Sequence, residues 1–120
     1  MNNEKYLNRL IGKSLISTSI STSTILPLNG NGKELYTIAN SLHFEDYRLD
    51  INNPISFIPA DKDLESLIGL KVIATDERKE EAEIIFNNGF KLIIDMRNEA
   101  YYDPESMVLN GPNSFCAVWN

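Results

Sequence analysis

The chain has 120 residues, 42% hydrophobic and 23% charged, with a formal net charge of −6. Such a length and balance fit one soluble globular domain whose core needs no disulfide or metal staple, and a single cysteine excludes an internal disulfide. Residues 1–60 hold five basic and five acidic side chains while residues 61–120 hold six and twelve, a balance that disfavours bare nucleic acid, whose phosphates require clustered Lys and Arg.

In chain order, MNNEKYLNRLIGK has neither an apolar h-region nor a cleavage site. No secretory signal is therefore expected, no apolar run approaches membrane-spanning length, and the expected location is cytoplasmic. Residues 4–18, EKYLNRLIGKSLIST, align with 61–75, DKDLESLIGLKVIAT, at an offset of 57, with seven of fifteen positions identical. Average composition would give roughly one identity, so the chain carries an internal duplication. Leu7, Leu10 and Ile11, and likewise Leu64, Leu67 and Ile68, fall at i, i+3, i+4, which predicts a short helix in each copy. Asn2 or Asn3 and Asp61 are the expected N-caps. Gly12 and Gly69 sit where a left-handed residue ends a helix, and a strand should follow each.

Copy one continues through ISTSISTST (16–24), a glycine-rich loop at 29–33 and a return strand, and ends in SLHFEDYRLDI (41–51). A two-residue turn at Glu45-Asp46 would pair Phe44 with Tyr47 and Leu42 with Leu49. ISFIPAD (55–61) joins the halves. Copy two continues into AEIIFNNGFKLIIDM (82–96). There a three-residue loop, Asn87-Asn88-Gly89, pairs Phe86 with Phe90, Ile84 with Leu92 and Ala82 with Ile94. That register gives one wholly apolar face, which a two-residue turn would not. MVLNGPNSFCAVW (107–119) reads as a last hairpin turning at Asn110-Gly111-Pro112. The expected fold is α+β: two short helices and seven or more strands, as a predominantly antiparallel β-sheet or open barrel. One domain spans 1–120, with pseudo-repeats at roughly 1–54 and 58–120.

Chemistry-bearing constellations are scarce. His43, the single histidine, is expected on an outer face opposite Arg48, a poor neighbour for a base that must become cationic. Cys116, in SFCAVW, reads as a small core residue. Zinc lacks a second Cys or His, and NGNGKE (29–34) has neither the spacing nor the Ser/Thr of a phosphate loop. The alternating hydroxyls of 16–24 read as polar strand positions. What stands out is DMRNEAYYDPES (95–106), with four carboxylates and two adjacent tyrosines. Acid–base catalysis needs carboxylates fixed across a cleft, and calcium needs a spacing absent here. The composition suits a protein interface instead: Tyr gives large contact area with few rotors, and carboxylates engage Arg and Lys. The expected partner-binding residues are Glu81, Glu83, Asp95, Glu99, Tyr101, Tyr102, Asp103 and Glu105. No catalytic residue, metal or cofactor is expected.

The pattern L-I-G-x-x-[LV]-I, then F-x-x-G-F-K-L-x-I, then V-L-N-G-P and a terminal Trp119, resembles a small uncharacterised family of bacterial proteins built from two such units. Copy one departs from it, with Glu45-Asp46 in place of the hairpin glycine and a long insertion. In size, acidity and simplicity the chain also resembles the immunity proteins of contact-dependent growth-inhibition and other polymorphic toxin systems. That second resemblance implies a cytoplasmic protein that binds and neutralises a cognate toxin C-terminal domain, a basic one such as a nuclease, without catalysis. The alternative expectations are a structural or small-ligand-binding β-module, and behind it a small enzyme.

Overall fold

In a computed structural model of the chain, residues 5–25, 35–97 and 106–119 are described. Among these described residues, nine strands form two antiparallel sheets. One contains β1 (Leu15–Ile25), β2 (Leu35–Phe44), β3 (Arg48–Ile51), β8 (Met107–Asn110) and β9 (Cys116–Trp119), in the order β1-β2-β3-β8-β9. The other contains β4 (Ile55–Ile58), β5 (Val72–Glu77), β6 (Glu81–Phe86) and β7 (Lys91–Asp95), in the order β4-β7-β6-β5. The sheets do not close into a barrel, and the described residues include no α-helix.

The two expected helices are single 3-10 turns, η1 (Tyr6–Leu10) and η2 (Leu64–Leu67). The reason is length: a glycine with φ +88° stops each turn within two residues of its last leucine, too soon for an α-helical hydrogen-bond ladder to propagate. η2 is capped by Asp63 rather than Asp61. Asp63 Oδ1 accepts from the Ser66 backbone N–H at 3.0 Å, and the Ser66 hydroxyl accepts from the Asp63 N–H at 3.3 Å. That is a capping box. η1 begins at Lys5 with no side-chain cap, and Asn2 and Asn3 lie outside the described residues, as does the glycine-rich loop at 29–33.

The duplication is structural. Around Ser14 and Lys71, which face one another across an antiparallel bridge, four hydrogen bonds come in two matched pairs. The N–H groups of Gly12 and Gly69 donate to the carbonyls of Val72 and Leu15, both at 2.8 Å. Those of Leu15 and Val72 donate to Leu70 and Lys13, both at 2.9 Å. Each partner is 57 residues from its counterpart, so a pseudo-twofold axis passes between Ser14 and Lys71. Both copies bulge at the same place, Ile16 in β1 and Ile73 in β5. Leu42 pairs with Leu49 and Ile84 with Leu92. These registers, including the Asn87–Gly89 loop with Gly89 at φ +90°, are those the alternation predicts. Leu7/Leu64, Leu10/Leu67, Leu15/Val72, Phe44/Phe86 and Ile51/Ile94 are buried in matched positions.

The two halves exchange elements. β4 follows β3 in the chain but pairs with β7, and β8 follows β7 but pairs with β3. ISFIPAD is therefore a working strand as well as a connection. η1 lies on β5 of the other copy, where the Thr75 hydroxyl donates to Asn8 Oδ1 at 2.5 Å, and η2 lies on β1. Glu77, at the end of β5, ties three elements together. Its carboxylate accepts from the Leu7 N–H at 3.0 Å and from the Trp119 indole N–H at 2.9 Å, and Lys5 Nζ donates to its backbone carbonyl at 2.7 Å. Glu77→Ala leaves two donors without acceptors and is expected to cost about 2–3 kcal/mol. In urea denaturation this appears as a lower midpoint at unchanged slope.

Cys116 is exposed, contrary to the core position expected for it. In β9 it is Ala117 that turns inward, opposite Leu109, so Cys116 and Val118 take the outer face.

Candidate functional site

Three of the expected partner-binding residues, Glu81, Glu83 and Asp95, are described. β6 and β7 place them on one outer face, with Glu81 opposite Asp95 and Glu83 opposite Ile93. Their inward neighbours Ala82, Ile84 and Ile94 are buried, so the two-residue period of the strands sends the carboxylates outward. Glu99, Tyr101, Tyr102, Asp103 and Glu105 lie outside the described residues. The residues flanking them are Arg97, just after β7, and Ser106, just before β8, whose N–H and hydroxyl donate to the Trp119 carbonyl at 2.7 and 2.9 Å.

The face is less uniformly acidic than a count of carboxylates suggests. Arg78, in the β5–β6 turn, reaches Asp76 at 3.2 Å, Glu81 at 3.0 Å and Glu83 at 3.3 Å. Arg97 pairs with Asp95 at 2.7 Å. Neither arginine figured among the expected residues. The turn signal that puts Arg78 three residues before Glu81 was available in the sequence, as was the spacing of Asp95 and Arg97. One guanidinium shared by three carboxylates still leaves a local surplus of negative charge. Among the described residues ten basic side chains stand against twelve acidic ones, so most of the net charge of −6 falls elsewhere. Residues 98–105 alone contribute three acids and no base.

Between the ion pairs lies an open depression of about 770 Å³, floored by Pro54, Ser56 and Ile93 and walled by Arg78, Glu81, Asp95 and Arg97. The Arg97 guanidinium, hydrogen-bonded to Asp95, holds its carboxyl below the usual carboxylate range. The sign follows from linkage. A depressed folded pKa gives a contribution complete above the unfolded value near 3.8 and lost as pH falls through the folded one. Asp95→Asn is therefore expected to lower stability at neutral pH and to flatten its decline below pH ~4, as read from denaturation midpoints across the acid range.

His43 faces Arg48 across β2–β3 as expected, and its Nε2 lies 3.3 Å from the Ser19 hydroxyl. No cluster of three potential metal ligands occurs among the described residues, and no described helix is long and apolar enough to cross a membrane. Compared with protein-family models, curated proteins and solved structures, the chain matches none.

Proposed function

We propose that the chain is an immunity-type binding protein that neutralises a cognate bacterial toxin domain in the cytoplasm, without turnover. The outer face of β6–β7 and the acidic tyrosine stretch that follows it would lie against a basic surface of the toxin. The observation that carries this reading is the sharing of Arg78 among Asp76, Glu81 and Glu83. Carboxylates held in place with one cation among three can accept Arg or Lys from a partner without first being ordered. Surplus charge of this kind accelerates encounter and rejects acidic competitors.

The test is binding to the toxin domain encoded beside the chain, measured for Glu81→Lys with Glu83→Lys, and separately for Glu99→Lys with Asp103→Lys. Each pair is expected to weaken the complex about 10-fold or more and to reduce its salt dependence. Unchanged affinity for both would remove this face from the interface. A second reading rests on the depression itself, whose opposed guanidinium and carboxylate groups suit a small zwitterion. Thermal stabilisation by such a compound, with no protein partner present, would favour it.

A further inference from the structure

The pseudo-twofold symmetry has one conspicuous break. The outer edge of β8 is paired by β9, with Met107 facing Trp119 and Leu109 facing Ala117. β4 occupies the equivalent place in the other sheet: Ile55 faces Ile94 as Met107 faces Ile51, and Phe57 faces Leu92 as Leu109 faces Leu49. No described strand pairs the outer edge of β4. Burial records the difference. Met107 and Leu109 are fully buried, whereas Ile55 and Phe57 are only half-buried and Ile58 is 47% exposed.

The backbone is set for pairing there. The Asp95 N–H donates to the Pro54 carbonyl at 3.0 Å. By the alternation of an antiparallel ladder, Pro54, Ser56 and Ile58 then turn their polar groups to β7, and the N–H and C=O of Ile55 and Phe57 point away from it. Beside this edge is a slot of about 420 Å³ walled by β1 and η2, lined by Ile20, Asn40, Ile55, Phe57 and Leu64. In the other half, Trp119 contributes its side chain to the matching groove, next to Glu77, Ala82 and Met107. These last three are the counterparts of Ile20, Asn40 and Ile55.

We propose that β4 is the docking edge for an extended segment of a partner protein, which adds antiparallel to it and sets an aromatic ring between Ile20, Ile55 and Leu64. The twin half supplies the register: an aromatic residue opposite Ile55 and a small one opposite Phe57. Phenylalanine fits better than tryptophan, because Ile20 stands where Glu77 accepts the indole N–H. A Lys or Arg beside the aromatic residue is favoured, since Asp63 and Glu65 line the slot and no basic side chain does. Pro54 and Pro59 bracket the edge, so it admits a short strand and resists open-ended sheet growth. The inference does not depend on what the acidic face binds.

The probe is the peptide Lys-Ser-Ala-Val-Phe-Lys, titrated into the full chain while backbone amide chemical shifts are followed. Saturable shifts at residues 55–58 and 18–20 are expected. N-methylation of the peptide's Ala and Phe, whose N–H groups would face β4, is expected to weaken binding at least about tenfold, and N-methylation of its Ser and Val to leave it nearly unchanged. The proposal is overturned by absence of shifts at millimolar peptide, by equal binding of the two methylated forms, or by shifts confined to 107–119 or to the acidic face. Concentration-dependent shifts at 55–58 without peptide would overturn it in favour of a second copy as occupant.

Discussion

Cut between Ala60 and Asp61, the chain is expected to yield two fragments of which neither is a folded monomer, and which regain the native sheets when mixed in equal amounts. The cut spares every strand, since β4 ends at Ile58 and η2 begins at Leu64. Each fragment nonetheless lacks the partner its own elements need. Residues 1–60 keep β3 but lose β8, which pairs with it, and keep β4 but lose β7. η1 would be left without the β5 surface on which Leu7 and Leu10 are buried to 0% exposure. Separated, each fragment exposes a large apolar face and unpaired strand edges. Circular dichroism and sedimentation would show weak, non-cooperative signals apart and one sigmoidal unfolding transition together. A monomeric fragment with its own cooperative transition would contradict the exchange of strands.

The second large effect is expected at Phe86. Its ring is fully buried at the end of β6, opposite Val72 and beside the loop that returns the chain to Phe90. Phe86→Ala removes a whole aromatic side chain from a site whose walls, strands on both sides, cannot collapse. A loss of about 3–5 kcal/mol is expected. Against a typical total of about 5–15 kcal/mol this is at least a fifth of the stability. The melting temperature should fall by roughly 10–20 °C. Phe90→Ala, at the half-buried position across the loop, is expected to cost less than half as much. Equal losses at both positions would mean that Phe86 is not the anchor of this hairpin.

The elements read correctly from the sequence are those in which one local rule dominates. The Asn87–Gly89 loop follows from requiring one apolar face on two strands, and Gly12 and Gly69 follow from their place after an i, i+3, i+4 stripe. Other features needed information that local pattern does not carry. A repeat shows which segments are equivalent, but not whether β4 pairs within its own copy or with the other. Five consecutive apolar residues, Phe115–Trp119, give no phase, so the pattern does not show that Cys116 faces outward. Asp63, three residues before Ser66, is a legible capping signal for a single turn, whereas Asp61 suits only a helix that starts earlier. At the candidate face, the carboxylates stood out because they are numerous. The arginines that order them are single residues in turns, and only the strand register brings Arg78 within reach of three acids.

The arrangement about Ser14 and Lys71 also bears on how the molecule holds together. Geometrically it is a strand-exchanged homodimer whose two subunits are joined by the short connection through Pro59 and Asp63. Association that would otherwise depend on concentration has become intramolecular, so dilution cannot separate the halves. Fusion also releases each half from having to match the other. An identical pair could not carry the Trp119 hairpin on one side only, nor set Glu77 against Ile20 across the axis.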